Sequence, residues 1–528
     1  MEILEIKILR GPNYWSIRTP KLIQIKPDLE ELQQKPTNRI PGFREHLEKL
    51  IPALSLMLFV FAINTTATTY YVSPGGSDSN PGTINSPFKS WQRLSSVLKA
   101  GDIGYIRGGT YKSPLSPGAS DWIVTWANLA GTSSDHIVIS AYPGEQPVLD
   151  FDGFDQSNNT TAVRVNKCSW VDFIGLWVWN LAQHPGSVAA GWEFHECTDI
   201  TMNRCWVHNI GGAGIRQGQP NGLDVIRNDR FTYINCDASW CADPISTGGG
   251  NYGNADGFDC NEGTATYIGC RAWWNSDDGF DCFYNDNHIY YKNCWSFRNG
   301  YVPGTYNNPG AQADGMGFKW GMTTTDQSAN ILRTYTNCIA FDNKLWGFDQ
   351  NAAKCKAEFY NNTSYRNKAG SWATGYSITP REQSILRNNI SFSDPVTVSD
   401  MSGLVSDHNT WNNIAASTAS FASLDTSGVT TSRQLDASLP NIQFLHLSSK
   451  SNMINAGVSI TGINLSFIGS APDLGAFEYR GTPSPVDQPR IANAGSGRKP
   501  ARRLLGLVLI MLLIPVWMLW VFRRRGWF

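Results

Sequence analysis

The sequence is poor in charge. Only 16% of its 528 residues are Asp, Glu, Lys or Arg, and the formal net charge is −1 at pH 7. A chain this close to neutrality has no general electrostatic attraction to nucleic acids or to anionic membrane surfaces. We therefore expect no nucleic-acid partner.

Two kinds of motif are missing. No pair of Cys-x-x-Cys elements has the spacing of a zinc site, and no Gly-x-x-x-x-Gly-Lys-Ser/Thr loop is present to cradle phosphates. The eleven cysteines are an odd number, so they cannot all pair within the chain. Links of Cys260 to Cys282 or of Cys168 to Cys197 stay open for an exported protein, but we expect buried free thiols.

Helical spacing of apolar residues is also absent from the body of the chain, and repetition takes its place. Asn or Gly followed by Cys, then by Ala or Ser and an aromatic residue, recurs at intervals of 24 to 44 residues. Copies lie at 235–240, 269–273, 293–297 and 337–341, with weaker ones at 361–365 and 388–392. Short strands broken at one fixed point of each coil predict an all-β chain, a parallel β-helix. Independent β-sandwiches are the alternative, but they would not explain the constant register.

The repeated positions also predict local structure. Asn at a fixed point favours turns with left-handed backbone geometry, and stacked amides can bond along the ladder. One repeated position holds a set of cysteines, which predicts a buried column: Cys205, Cys236, Cys270, Cys294 and Cys338.

A shorter motif, Gly-Phe followed by an acid or a lysine, recurs in successive segments at 257–259, 279–281 and 317–319. In stacked coils the third residue of each copy occupies the same lateral position. We therefore expect Asp259, Asp281 and Lys319 to form one column on a face of the solenoid. Arg216, which follows another glycine and an apolar residue, is expected in the same column.

Four acids converge around this motif. Asp256 is expected to lie over Asp278, with Asp277 beside it and Asp281 in the neighbouring column. Carboxylates packed this closely repel one another unless a cation neutralises them, and their hard oxygens suit Ca²⁺. A structural Ca²⁺ without catalysis, or a set of acids that cap turns, is the alternative.

Lys319, one coil beyond the acids, is a candidate base, and a structural ion pair is the alternative role. Lys319 could instead form an ion pair with Asp281 or Asp314. Arg216 likewise has two readings, since it could contact a substrate carboxylate or neutralise Asp259.

Both ends of the repeats, which span 68–480, are expected to be closed. A first strand near residue 70 and a short helix over 90–99 would cap one open end, because a solenoid must cover its exposed apolar coil. Pro472–Glu478 would close the other. Residues 481–503, rich in Pro, Gly and Ser, are predicted to form a linker.

The remaining segments predict export and anchoring. Residues 51–67 contain an apolar run with the length of a signal-peptide core, although the fifty residues before it are abnormal for a signal. Residues 504–522 are a run of about 19 apolar residues, enough to span a bilayer as a transmembrane helix. The basic residues at 523–528 would then form a cytoplasmic tail. We expect an extracellular or cell-surface monomer that is attached to the membrane through this helix.

Taken in order, four segments resemble the calcium-dependent pectate lyases of polysaccharide lyase family 9: Ala255–Phe258, Arg271–Trp273, Ser276–Asp281 and Gly317–Lys319. The resemblance covers roughly 68–480 and implies a right-handed parallel β-helix. Asp259 departs from the family pattern, as does a long insertion, Val302 to Asp314, ahead of the lysine.

The resemblance implies both a metal site and a reaction. The matching acids, Asp256, Asp277, Asp278 and Asp281, would hold Ca²⁺, and Lys319 would take a proton from C5 of a uronate in an acidic polysaccharide. A lysine acts as a base only when neutral, so its pKa must fall from about 10.4, and burial or nearby cations would lower it.

Two other functions stay open. Pectin-type glycoside hydrolases use clustered carboxylates without Ca²⁺ or lysine, and the nearest histidine here, His288, lies on a predicted strand away from the acids. A surface-anchored β-helix that binds glycans without cleaving them is the other alternative.

The first fifty residues have a resemblance of their own. Leu9–Arg18 and Lys35–Phe43 resemble the N-terminus of cyanophycin synthetases. No nucleotide-binding or ligase motif of that family follows, so residues 1–50 are expected to be a fusion or to precede a wrongly assigned start, without activity.

Overall fold

The structure is a computed structural model, and it shows an all-β chain whose main body is a solenoid. Contacts divide the chain into two compact units, 1–66 and 67–528. The structure describes 9–10, 15–16, 67–112, 122–153, 161–185, 188–218, 228–246, 250–306, 308–351, 353–374, 384–463 and 466–481. In the first unit these residues form one antiparallel pair, β1 (Leu9–Arg10) with β2 (Trp15–Ser16).

The first sheet of the solenoid has twelve parallel strands among the described residues. They are β3 (Thr69–Val72), β4 (Ile103–Ile106), β7 (Ile137–Ala141), β10 (Ser169–Ile174), β13 (Thr198–Asn203), β16 (Asp229–Ile234), β19 (Ala265–Ile268), β22 (Ile289–Lys292), β25 (Gln327–Thr336), β28 (Cys355–Tyr360), β31 (Ile385–Arg387) and β33 (Val405–Asp407).

The second sheet has ten parallel strands over the same described part of the chain. They are β5 (Gly109–Lys112), β8 (Pro147–Asp150), β11 (Trp177–Leu181), β14 (Trp206–Ile210), β17 (Asp237–Ser239), β20 (Arg271–Trp273), β23 (Trp295–Phe297), β26 (Ile339–Phe341), β29 (Thr363–Tyr365) and β32 (Ile390–Phe392).

The third sheet, with nine described strands, carries the candidate site. Its members are β6 (Trp122–Ala127), β9 (Thr161–Asn166), β12 (Ala189–His195), β15 (Gly212–Gln217), β18 (Phe258–Cys260), β21 (Phe280–Asp281), β24 (Phe318–Lys319), β27 (Trp346–Asp349) and β30 (Gly370–Ala373).

Each complete coil contributes one strand to each sheet, which confirms the predicted parallel β-helix. Inward-facing side chains stack from coil to coil and fill the core. On the third sheet, for example, ring centroids are 4.8 Å apart from Phe258 to Phe280 and again from Phe280 to Phe318. Such parallel stacks bury aromatic surface in one continuous column, which stabilises the solenoid along its axis.

The turn positions behave as the sequence predicts. The residue before each repeated Cys or Asn has a positive φ, from 52° at Asn235 to 63° at Gly269. Amide ladders also form, but mainly at a neighbouring position that the sequence analysis did not single out. Asn275 donates to Asn299, which donates to Asn343 and so on to Asn367. These fully buried amides satisfy one another and tie successive coils together.

The N-terminal end of the solenoid is covered as predicted. A 3-10 helix (Trp91–Ser96) packs Trp91 against Trp126 with parallel rings, which confirms the cap expected over 90–99. Pro472–Glu478 was expected to close the other end, but it lies along the side of the solenoid, where Asn337 and Asn361 donate to Ala476 O and Asp473 O. A second 3-10 helix (Thr418–Ser420) lies in a long C-terminal segment. Arg433 of that segment joins Arg271 on the buried carboxylate of Asp237, at 2.6 and 2.8 Å.

All eleven cysteines lie in the described part of the chain, and all are buried and free. The expectation of buried thiols is thus confirmed. No helix among the described residues is long and apolar enough to cross a membrane. The predicted transmembrane helix at 504–522, the linker at 482–503, the tail at 523–528 and the signal-like run up to residue 66 lie outside the described residues.

Candidate active site

The Gly-Phe motif explains how the third sheet builds its outer surface. A Cβ on Gly279 would overlap Ser296 Oγ and lie 2.7 Å from the carbonyl oxygen of Gly317, so only glycine lets neighbouring coils approach here. The phenylalanine that follows points into the core stack. The third residue of the motif therefore points out of the sheet, where side chains from successive coils stand side by side.

The predicted column is present. Asp259 pairs in register with Asp281, and the next pair, Phe280 with Phe318, places Lys319 beside Asp281. Arg216 pairs in register with Asp259 and extends the column toward the N-terminus. The strand register therefore fixes the order of these charges along the solenoid axis.

Three aspartates converge at the edge of this column. One carboxylate oxygen from each of Asp256, Asp277 and Asp278 lies within 4.8 Å of the others. Oxygen ligands of Ca²⁺ lie about 2.3–2.6 Å from the ion, so oxygens that share one ion are separated by up to about 5 Å. The hard-oxygen donor set and its spacing fit a calcium ion.

Backbone amides hold these carboxylates in place. Asp278 N donates to Asp256 Oδ1 at 3.0 Å, and two amides at and just after the end of the insertion donate to the other acids. Asp277 Oδ1 accepts from Asp314 N at 2.7 Å, and Asp278 Oδ1 accepts from Met316 N at 2.6 Å. A backbone amide thus fixes one oxygen of each acid, which pre-organises the site for a ligand.

Lys319 lies against the same acids. Its Nζ is 3.0 Å from Asp278 Oδ2, 3.1 Å from Asp281 Oδ2 and 3.9 Å from Asp314 Oδ2. Both ion pairs named as alternatives in the sequence analysis are therefore present. Asp281 contacts the lysine and stands apart from the group of three, so its assignment as a metal ligand stays a prediction.

The pKa of Lys319 is not lowered as we expected. Burial lowers the pKa of its ammonium, but the carboxylates of Asp278 and Asp281 outweigh burial and raise that pKa well above its usual value. Burial alone therefore does not produce the neutral amine that a base requires, and the charge of the surrounding acids must first be offset.

Burial, together with the same excess of negative charge, raises the pKa values of the acids. Burial, followed by repulsion from Asp277, raises the pKa of Asp256 well above its ordinary value. Burial also raises the pKa of Asp281, to about 7. Oδ1 of Asp281 is buried and has no hydrogen-bond donor among the described residues, and Oδ2 of Asp278 faces the Lys319 ammonium. Four carboxylates against one ammonium favour a bound cation.

Arg216 is buried and paired. Its Nε lies 2.9 Å from Asp259 Oδ2, and its Nη1 lies 3.6 Å from Glu193 Oε1. The geometry supports the neutralising role for Arg216, while its contact with a substrate carboxylate stays a prediction. Asp259, the departure from the family pattern, is thereby compensated within the column.

Asp349 was missed as a member of the site, and Asp314 was named only as an alternative ion-pair partner of Lys319. Asp349 pairs in register with Lys319 and ends a further copy of the Gly-Phe motif, Gly347–Asp349, so the motif itself could have revealed it. Burial raises the pKa of Asp349 to about 7. Asp314 reaches the site because the insertion folds back over it, and no periodic signal in the sequence marks that return.

The nearest histidine takes no part in the site. His288 Nε2 lies 2.9 Å from Thr334 Oγ1, and its ring stacks on Tyr290 on the first sheet. Burial lowers the pKa of His288 to about 4. This placement agrees with the expectation that His288 is away from the acids.

Comparisons with known proteins agree with the geometry. A family model described as "Pel9A-like, right handed beta helix region" matches residues 70–389. Pectate lyase L of Dickeya dadantii (strain 3937) is 33% identical over 423 residues, which cover 78% of this chain and 91% of that protein. The crystal structure of pectate lyase Pel9A aligns with a TM-score of 0.67 and 30% identity over 79% of this chain and 97% of that one.

A separate stretch of 54 residues is 59% identical to the cyanophycin synthetase of Geminocystis herdmanii (strain PCC 6308). It covers 10% of this chain and only 6% of that synthetase. The resemblance stated for residues 1–50 is confirmed, and the match is too short to carry the synthetase's activity.

Proposed function

The chain belongs to the Pel9A-like right-handed β-helix family and is a polysaccharide lyase, and from this premise we propose that it is a calcium-dependent pectate lyase. Its substrate would be a uronate polymer such as polygalacturonate, cleaved by β-elimination. The observation that carries the proposal is the contact of Lys319 with Asp278, which is one of three aspartates whose oxygens suit one calcium ion.

Each side chain has a distinct role in this proposal. Asp256, Asp277 and Asp278 would hold the ion, with Asp281 as a fourth ligand. When bound, Ca²⁺ would polarise the substrate carboxylate and offset the aspartate charges that hold Lys319 protonated. Neutral Lys319 then takes the proton from C5 of the uronate, and the electron pair of that bond forms a C4=C5 double bond as the bond from C4 to its glycosidic oxygen breaks. The departing oxygen takes a proton from water, and the remaining sugar is unsaturated.

Backbone contacts support this division of roles. The amides of Asp314 and Met316 fix one oxygen each of Asp277 and Asp278, so the carboxylates need little reorganisation to receive a ligand. Arg216, paired with Asp259, would keep the neighbouring column close to neutral, and contact between Arg216 and a substrate carboxylate is a further part of the proposal.

We extend the proposal to the organisation of the chain. Residues 68–480 would be the lyase domain, acting as a monomer outside the cell. Residues 51–67 would direct export, 481–503 would form a linker, and 504–522 would anchor the protein to a membrane ahead of the tail at 523–528. These assignments rest on hydropathy and composition.

The test is an assay of the ultraviolet absorbance of unsaturated product from polygalacturonate, with Ca²⁺ and with chelator. We expect turnover that requires Ca²⁺ and falls by about 10²–10⁴ in Lys319→Ala. If absorbance stays flat while reducing ends accumulate, the protein is a hydrolase. If neither signal changes on a panel of uronate polymers, it is a binding solenoid, and in both cases the proposal fails.

A further inference from the structure

A second charged surface lies beside the acidic site, on the coils toward the C-terminus. The buried amide ladder from Asn275 to Asn367 marks one corner of the solenoid, and the residue after each amide stacks on the one before. Gly300 N, Lys344 N and Lys368 N each donate to the carbonyl oxygen of the ladder residue one coil earlier. Gly300, Lys344 and Lys368 therefore form one column along the solenoid axis.

This column begins at the coil that carries Lys319. Gly300 and Lys319 belong to the same coil, and Lys368 lies two coils further on. Adjacent coils are about 4.8 Å apart, so Lys368 stands roughly 10 Å along the axis from the catalytic coil. A polymer that runs along the solenoid from Lys319 toward the C-terminus would pass this corner.

The insertion supplies the wall of this surface. Its described residues are anchored at the end that leads into the site, where Gln312 N donates to Asn251 O at 3.0 Å and Lys344 Nζ donates to Ala313 O. At the other end Tyr306 stands 41% exposed. The ammonium of Lys368 lies 4.9 Å from the ring centre of Tyr301 and 5.2 Å from that of Tyr306, within the range of cation–π attraction.

Charge on this surface is predominantly positive. Arg298 and Arg366 both pair with one buried acid, Asp342, which accepts both bonds of a bidentate pair with Arg366 at 2.9 Å each. Two arginines against this single carboxylate leave an excess of positive charge. The side chain of Arg366 is 42% exposed, so this charge reaches the solvent beside the exposed ring of Tyr306.

We propose that Lys368, Arg366 and Tyr306 form a second contact site for an acidic polysaccharide. This site binds the sugar units that extend from the cleavage point along the solenoid toward the C-terminal coils of the protein. The inference rests on the proposed function for its ligand. Lys368 and Arg366 pair with uronate carboxylates of the polysaccharide, and the exposed part of the Tyr306 ring packs against the apolar face of a sugar ring. The insertion is thereby the element that extends the binding surface beyond the catalytic coil.

The direct test measures binding without turnover. The full chain is run through native gels that contain polygalacturonate and chelator, so that neither cleavage nor a bound cation contributes to retardation. We expect retardation that weakens with salt and is absent with a neutral glucan. Lys368→Gln should weaken binding about twofold to fivefold, as expected for one exposed ion pair, and Tyr306→Ala should also weaken it.

Lys292→Gln is the matched control, because it removes the same charge from an exposed lysine on the first sheet. Equal retardation of Lys368→Gln and Lys292→Gln would overturn the inference, and so would a wild-type protein that polygalacturonate does not retard. In the turnover assay Lys368→Gln should raise KM on the polymer and leave kcat unchanged. Retardation that depends on Lys368 in a protein without lyase activity would sustain the contact site and reject the proposed function.

Discussion

Lys319 Nζ lies 3.0 Å from Asp278 Oδ2, so the candidate base and the candidate metal site share one carboxylate. The lysine ammonium and a calcium ion compete for the same negative charge. A cation bound to the aspartates lowers the pKa of Lys319, and protonation of Lys319 lowers the affinity of the aspartates for that cation. The two halves of the site are therefore coupled through Asp278.

Calcium should stabilise the folded protein, because the aspartates are assembled only in the native state. At one hundred times its dissociation constant, a ligand adds about 2.7 kcal/mol to the free energy of unfolding, which raises the Tm of a domain of this size by roughly 3 °C. Asp277→Asn keeps an oxygen for the amide of Asp314 but removes a ligand charge, so most of this rise should disappear. Thermal unfolding with Ca²⁺ and with chelator measures it.

The control for that experiment is Asp425→Asn, which removes an exposed carboxylate of the C-terminal segment. This variant should respond to Ca²⁺ like the wild type. A Tm that rises equally in wild type and Asp277→Asn would place the stabilising ion elsewhere and reject the assigned ligands.

Replacement of the lysine should separate metal binding from chemistry. Lys319→Met removes the cation that pairs with Asp278 and Asp281, so calcium affinity should rise about fivefold or more while turnover is lost. Lys319→Arg keeps the charge and should bind Ca²⁺ about as the wild type does, also without turnover, since arginine does not deprotonate. Calorimetric titration measures both affinities. A weaker affinity in Lys319→Met would mean that the lysine does not compete with the ion.

The sequence predicted most of what the coil period controls. The columns through Asp259, Asp281 and Lys319 and through the cysteines follow from strand register, because residues at equal positions of successive coils must lie side by side. The approach of Asp314 could not be predicted in this way. It depends on how the insertion folds back onto Asn251 and Asp277, which are distant contacts without a period.

The pairing of Lys319 with several aspartates at once could also not be predicted from the sequence. Spacing alone allowed Lys319 to be a base or an ion-pair partner, and the structure shows that it pairs with two aspartates at once. The direction of its pKa depends on the balance between burial and those carboxylates. That balance needs distances, which the sequence does not supply.

Glycine in the Gly-Phe motif should be irreplaceable for reasons of space. Gly279→Ala places a methyl group against Ser296 Oγ, Asn299 Nδ2 and the carbonyl oxygen of Gly317, so it should destabilise the fold by about 1–3 kcal/mol. Gly75→Ala is the control, because its new methyl group meets nothing within 4 Å and should change stability by less than about 0.5 kcal/mol. Urea unfolding compares the two. Equal stabilities would refute the close approach of coils.

The last prediction concerns the end of the amide ladder, where an acid takes the place of asparagine. Asp394 Oδ1 accepts from the backbone and side-chain amides of Asn367, at 2.7 and 3.2 Å, and Oδ2 accepts from Ser371 Oγ at 2.8 Å. Burial raises the pKa of Asp394 to about 7. The unfolded chain has the ordinary value, near 3.9.

A folded pKa above the unfolded one fixes the sign of the effect. The contribution of Asp394 to stability is fully present below about pH 4 and is lost as pH rises to about 7, because the unfolded chain ionises first. The loss is at most about 4 kcal/mol for a shift of about three pH units. Asp394→Asn cannot ionise and keeps an acceptor for Asn367, so its stability relative to wild type should increase between pH 4 and pH 7. Urea unfolding across that range measures the difference, and a difference independent of pH would show that Asp394 is ionised in the folded protein throughout.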